Sequence, residues 1–345
     1  MQKKRFIELA LHGGCSRKLG AGALQRILSN LAVGDASSAS SFSTWLDYGR
    51  FDFGENALVS NVDLILPMVL SPSDFGEIAV AHVLSDIYAA GAKPLFALNI
   101  LGISKDIDSE SFEITDLLKA ASRRLRSRDV ALVGGHTMGD QQDFSYGLAA
   151  VGIINKDKIV TNDGAKKGDV LVLTKPLGTS LASINWRDDP NLGEEFQDVL
   201  EGMKQLNDVA STEMINHGAT SCTDITGFGF LGHTHNLLLA SKASAVIFSQ
   251  NLPIYESVRP YIGKTHPTRI WSKNFDYVKE SVDFKVSFSP LLENILFDAQ
   301  VSGGLLITLS PSNADEFISC LKNKNIIASI VGEITGDNVG QVDIA

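Results

Sequence analysis

Ser221-Cys222-Thr223-Asp224-Ile225-Thr226-Gly227-Phe228-Gly229-Phe230-Leu231-Gly232-His233 decides how this chain is read. A short apolar-to-polar run turns through a glycine-rich corner and enters a Leu-rich helix, the strand–turn–helix step of an α/β protein. Asp224 stands at the corner, beside Thr223, Thr226 and open glycine backbone, where a carboxylate can hold a cation against phosphate. The same residue reads equally well as an Asp capping an ordinary turn. Three more acidic positions in the first half of the chain, Asp47, Asp63 and Asp86, strengthen the first reading.

Working outward, 345 residues suggest two domains at roughly 150 residues each. With 44% hydrophobic residues, each has material for a core. A net charge of -10 argues against nucleic acid or an anionic membrane as the main partner. It leaves ATP open, because a divalent cation can bridge acidic side chains to phosphate. Cys15, Cys222 and Cys320 are widely spaced and odd in number, which fits free thiols in a reducing cytoplasm. The apolar stretch after Lys3-Lys4-Arg5 is broken by His12-Gly13-Gly14 and reads as neither signal peptide nor membrane span.

Three segments follow from the patterning: a flexible, glycine-rich arm, helix and linker over 1–45, an α/β domain over 46–155, and a second α/β domain over 156–345. The arm ends in a helix with Leu24, Ile27, Leu28 and Leu31 on one face, and the linker is the serine-rich stretch 34–44. Strands are expected near 47–53 and 57–66, and over 95–101, 130–133 and 146–154. Ser71-Pro72-Ser73-Asp74 starts a helix that Gly91 ends, and another spans about 109–126. The second half should open with a turn at Lys166-Lys167-Gly168-Asp169 and a strand over 170–174. A polar loop at 175–179, a helical stretch over 192–216 and the Asp224 corner with its helix come next. Residues 241–292 pattern weakly. A strand over 305–309, a helix near 312–323 and a strand near 327–332 close the reading.

Cys15-x-x-Lys18 lies among glycines that let backbone close over a ligand. A lysine near a thiol raises its thiolate fraction, and an ammonium can neutralise transferring phosphate oxygens. A chance pair in a disordered arm would look the same. Asp86 lies one turn after His82, a spacing that serves a metal or a solvated pair. Gly134-Gly135-His136-Thr137 after a strand can cradle phosphate or ribose, although it lacks both the P-loop and the dinucleotide patterns. Lys175, in Thr-Lys-Pro-Leu-Gly, reads as a phosphate contact or a surface lysine, with the surface role slightly favoured.

Taken in order, Cys15-x-x-Lys18, Asn61-Val62-Asp63, Ser73-Asp74-Phe75-Gly76, Leu84-Ser85-Asp86-Ile87-Tyr88-Ala89-Ala90-Gly91-Ala92-Lys93-Pro94, Gly134-Gly135-His136-Thr137, Leu173-Thr174-Lys175-Pro176-Leu177-Gly178, the Asp224 corner and Ser302-Gly303-Gly304-Leu305-Leu306 resemble the selenophosphate synthetases. These are members of the aminoimidazole ribonucleotide synthetase superfamily, and the match covers nearly the whole chain. The resemblance implies a two-domain α/β (α+β) fold, each domain a mixed sheet packed with helices. It implies synthesis of selenophosphate, AMP and orthophosphate from ATP, selenide and water, with Mg2+. It gives Cys15 the place of the reactive cysteine or selenocysteine, and Lys18 that of the essential lysine, near the nucleotide phosphates. Asp47, Asp86 and Asp224 fall where the family binds magnesium. Asp63, with Gly134, Gly135 and His136, falls where it holds the nucleotide. It implies a homodimer with ATP sites near the subunit contact. Whether selenide arrives free or from a selenium-delivery protein stays open. The chain departs from the family at Arg17, Leu46, His82 and Val301. Those departures leave two other readings, a regulatory nucleotide-binding paralogue and a superfamily enzyme with another acceptor.

Overall fold

The computed structural model describes residues 4–15, 18–19, 21–28, 48–108, 111–285, 290–336 and 338–345. Asp47, Arg17, Leu46, the linker and the end of the helix expected near residue 31 therefore lie outside the described residues.

Two mixed sheets organise the chain. The first contains β1 (Gly49–Phe53), β2 (Asn56–Ile65), β3 (Lys93–Ser104), β4 (Ala131–Gln141) and β5 (Ser145–Asn155), in the spatial order β1-β2-β5-β3-β4. All neighbours are antiparallel except β3 and β4. The second contains β6 (Val170–Leu173), β7 (Ser221–Asp224), β8 (Ala245–Ile247), β9 (Val282–Phe284), β10 (Leu305–Leu309), β11 (Ser329–Ile334) and β12 (Val342–Ile344), in the order β7-β10-β6-β11-β8-β12-β9. Its β12 runs parallel to both neighbours.

Ten α-helices accompany the sheets among the described residues: α1 (Ala21–Leu28), α2 (Pro72–Ala89), α3 (Phe112–Arg126), α4 (Thr179–Asp188), α5 (Gln197–Lys204), α6 (Asp208–Asn216), α7 (Gly229–Ser241), α8 (Trp271–Val278), α9 (Pro290–Phe297) and α10 (Pro311–Asn323). Helix α2 starts as the sequence dictates. The Ser71 hydroxyl accepts the Asp74 amide at 3.2 Å, and Pro72 occupies the first turn, where no amide partner is needed. It ends at Ala90 before Gly91, whose φ of 75° suits glycine. Its sequence calls for one packed face, yet every residue from Phe75 to Ala89 except Glu77 is buried. The reason is its place: α2 covers the first sheet and touches α3, α5, α6 and β7. Gly76 allows the close approach to α3, since a Cβ there would lie 2.4 Å from the Leu117 carbonyl oxygen. One continuous apolar cluster consequently runs from Phe6 and Phe75 through Leu84 to Leu173, Phe230 and Leu306, across both halves.

Several expectations need correction. The helical stretch over 192–216 is α5 and α6 separated at Gln205-Leu206-Asn207, because Asn207 turns inward to donate to Ser85 Oγ at 3.0 Å and the Gly303 carbonyl at 2.9 Å. The residues after 178 form α4, which opens on Gly178 with amides accepted by Gln300 Oε1. The strand over 130–133 is neither short nor buried. It continues to Gln141 as an exposed edge strand, so Gly134-Gly135-His136 is not a turn but lies inside the ladder, opposite Leu98, Asn99 and Ile100. The weakly patterned region holds β8, α8 and β9. The glycine-rich arm is anchored where described. Gly14 pairs with Leu66 through two main-chain hydrogen bonds, at 2.9 and 3.2 Å, and Arg187 donates to the Ala10 and Pro67 carbonyls at 2.7 and 3.1 Å.

Candidate active site at the domain seam

Strand alternation sorts the site residues before any contact is considered. On β2, Val59, Asn61 and Ile65 turn inward with Asp63 against α2, while Val62 and Leu64 turn outward. The register carries that division across the sheet. Val62 neighbours Ala149, then Leu98, then Gly134, whereas Asp63 neighbours Leu148, then Asn99, then Gly135. His136 pairs with Ile100, on the outward row through Gly147 and Leu64.

The inward face gathers a polar cluster. Anchoring of the arm places Cys15, 2% exposed, with Sγ 3.4 Å from His82 Nε2. His82 Nε2 is 2.9 Å from Asp63 Oδ2. The same carboxylate receives Lys18 Nζ on both oxygens, at 2.7 and 2.8 Å. Burial opposes the charge on Asp63, but Lys18 and then His82 outweigh it and hold the carboxyl well below its usual range. Burial likewise works against the Lys18 ammonium, while Asp63, then Cys15, and more weakly Asp86 raise its pKa. On His82, burial disfavours a second proton, and the neighbours Cys15 and Asp63 favour one and raise the pKa. The Ser302 amide, which donates to Nδ1 at 3.1 Å, stands against that second proton.

One turn further along α2, Asp86 is buried, and its Oδ2 accepts Asn61 Nδ2 at 2.8 Å; Asn61 also donates to the Val83 carbonyl at 2.9 Å. Asp224 ends β7, fully buried, opposite Leu305. The corner beyond it reaches the arm: a Cβ on Gly227 would lie 2.9 Å from Lys18 Cδ and 3.7 Å from Cys15 Cβ. Lys175 overturns its expected surface role. It is 2% exposed and donates to the Gln205 and Ser302 carbonyls at 2.6 and 2.8 Å. Burial pushes its pKa down to about 7, against the attraction of Asp224.

The structure thus joins Lys18 to Asp63 directly and Cys15 to Asp63 through His82, sets Asp86 within electrostatic reach of Lys18, and brings the Asp224 corner against the arm. Gly134 and His136 lie on the opposite face of the sheet. Sequence reasoning missed Asn61, Ser302 and Asn207 as site residues, and read His82 as a partner of Asp86 and a departure from the family, where the structure pairs it with Asp63 and Cys15. The signal for them was a polar side chain amid an apolar, buried run, clearest at His82 between Ala81 and Val83.

A magnesium ion is tested by the donor chemistry. Among the described residues no group of three or more His, Cys, Asp or Glu is placed to hold a metal ion. Magnesium bound with a nucleotide needs only one or two carboxylates, its other positions going to phosphate and water. Asp86 and Asp224 are hard oxygen donors of that kind, and Asn61 Oδ1, buried beside Asp86, has no hydrogen-bond partner among the described residues. The residues present fit the ion.

A family model described as AIR synthase related protein, N-terminal domain, matches residues 47–154, and one described as AIR synthase related protein, C-terminal domain, matches residues 166–345. The selenide, water dikinase of Carboxydothermus hydrogenoformans is 33% identical over 344 residues, covering 99% of each chain. That of Clostridioides difficile is 33% identical over 337 residues, covering 96% of each. Among solved structures, thiamine-monophosphate kinase from Stenotrophomonas maltophilia K279a is similar at a TM-score of 0.64 and 16% identity, covering 93% of both chains. Hydrogenase maturation protein HypE in complex with ATP is similar at 0.64 and 18%, covering 94% of this chain and 92% of that one. At such identities the last two show a shared fold.

Proposed function

The chain belongs to the AIR synthase related family, and from that premise we propose that it makes selenophosphate, AMP and orthophosphate from ATP, selenide and water. The observation that carries this reading is the buried cluster in which Cys15, His82, Asp63 and Lys18 tie the N-terminal arm to the first sheet. The names of the relatives add support.

In this reading the γ-phosphoryl group passes to selenide, and water then cleaves the remaining diphosphate to AMP and orthophosphate. Lys18 neutralises charge on the moving phosphoryl oxygens, with Asp63 holding its ammonium in position. The closed arm keeps bulk water from the first transfer, as the burial of Cys15 fits. Cys15 stands at the selenium side. Magnesium, held by Asp86 and Asp224 with Asp47 as a third carboxylate, would neutralise the phosphate tail.

The outward face of the first sheet supports a homodimer. Val62 is 61% exposed, Leu64 37%, Leu98 36% and Met138 39%, apolar side chains on one face of the sheet of the kind a second subunit covers. Gly134, Gly135 and His136 lie in this sheet, and we assign them to the nucleotide at the subunit contact. No helix among the described residues is long and apolar enough to cross a membrane. A cytoplasmic setting, with selenide free or supplied by a delivery protein, completes the proposal.

The test is anaerobic incubation with ATP, magnesium and selenide. Formation of AMP together with a selenium–phosphorus resonance in the phosphorus NMR spectrum is expected. ADP as the end product would point to another acceptor, and ATP binding without turnover to a regulatory protein; either result overturns the proposal.

A further inference from the structure

Ser302 is buried, 1% exposed, yet its hydroxyl has no hydrogen-bond partner among the described residues. It also adopts φ 51°, in the left-handed region that a residue with a Cβ seldom visits. The side chain therefore explains neither the burial nor the strain. The main chain does. The Ser302 carbonyl accepts Lys175 Nζ at 2.8 Å, and its amide donates to His82 Nδ1 at 3.1 Å. The neighbouring glycines keep the loop close: a Cβ on Gly303 would lie 2.1 Å from the Ile225 carbonyl oxygen, and one on Gly304 2.4 Å from the Lys175 amide nitrogen. Asn207 adds a bond to the Gly303 carbonyl at 2.9 Å, and Lys175 a second bond, to the Gln205 carbonyl, at 2.6 Å.

We propose that Ser302 is a positioning residue, whose main chain links Lys175 of the second domain to His82 of the first and holds the single ring proton of His82 on Nε2, facing Asp63 and Cys15. An imidazolium would place an Nδ1 hydrogen face to face with the Ser302 amide hydrogen across 3.1 Å. The amide is fixed by its loop, so the ring keeps its Nδ1 lone pair. Its one N–H then donates to Asp63 Oδ2 at 2.9 Å, with Cys15 Sγ 3.4 Å from the same nitrogen. The arm's sulfur and the carboxylate that holds Lys18 share one nitrogen, whose orientation the other domain sets. Only the kinetic part of this inference rests on the proposed reaction.

The experiment uses the full chain labelled with nitrogen-15 histidine. The His82 resonances are assigned by their loss in His82→Asn. Between about pH 6 and 8, where an ordinary histidine titrates, His82 is expected to keep an unprotonated Nδ1 and a protonated Nε2. In Lys175→Met, which frees the Ser302 carbonyl, the two tautomers should mix, and Asn207→Ala, which loosens the same loop, should shift the ring in the same direction. An imidazolium pattern in the wild-type protein at neutral pH overturns the proposal, even if Lys175→Met fails to fold. So does an unchanged tautomer in folded Lys175→Met. If the dikinase reading holds, Lys175→Met lowers kcat about ten- to a hundredfold while KM for ATP stays within about twofold. If that reading fails, the spectra still decide the role of Ser302.

Discussion

The two faces of the first sheet invert the usual relation between polarity and burial. The inward face carries Asn61 and Asp63 and, beside them, His82 of α2 and Lys18, all withdrawn from solvent to different degrees and each bonded to a partner from another element. The outward face carries Val62, Leu64, Leu98 and Met138, all open to solvent. Buried polar groups and exposed apolar patches are the two informative exceptions to ordinary folding, and here they lie back to back, one sheet apart. The inward exception is explained within one chain, by charge pairing. The outward one is left open by this chain, and the proposed homodimer would cover it.

Breaking the inward face should have the largest effect. Lys18→Met removes the ammonium beside Asp63 and should cut selenide-dependent AMP formation about 10²- to 10³-fold with the fold intact, measured by nucleotide chromatography and thermal melting. A loss below tenfold would place Lys18 outside the reaction. Next comes the outward face. Val62→Lys combined with Leu98→Lys sets like charges where the apolar rows would meet, and light scattering should report half the wild-type mass. A dimer that survives both changes contacts elsewhere.

A third prediction sharpens the comparison from outside the sheet. Asp298 is also a buried carboxylate, but it is held by Thr268 and the Ala299 amide in place of a cation. Burial raises its pKa to about 6, against those hydrogen bonds. The native state thus holds the proton more tightly than the unfolded chain does. The contribution of Asp298 to stability is full below about pH 4 and is lost as pH rises from roughly 4 through 6, by up to about 3 kcal/mol. Urea melts across this window should show a pH slope that Asp298→Asn flattens. The smallest effect belongs to His136→Ala, on the open face. It should change stability by less than about 0.5 kcal/mol, while KM for ATP rises a few-fold in steady-state assays. An unchanged KM would remove His136 from the nucleotide site.

Much of this was legible in the sequence, for identifiable reasons. Local rules placed α2, through Ser71 and Pro72 at one end and Gly91 at the other, and the Asp224 corner, because capping and strand alternation act over a few residues. What escaped depended on distant partners. Lys175 looked like a surface lysine because nothing nearby in sequence announces the Gln205 and Ser302 carbonyls that take it inside. Asn207 breaks a helical pattern for the sake of Ser85 and Gly303. Two glycines at 134 and 135 imitate a turn, yet β4 pairs with β3 straight through them. The arm looked loose because its glycines were visible and its bonds to Leu66 and Arg187 were not.

Helix α2 has almost no side left for water beyond its first turn and Glu77, since its residues pack against elements of both halves. Severing the chain between the sheets would strip one fragment of its roof and leave the other with an uncovered helix. Each piece would then expose to water apolar surface that the whole chain keeps inside.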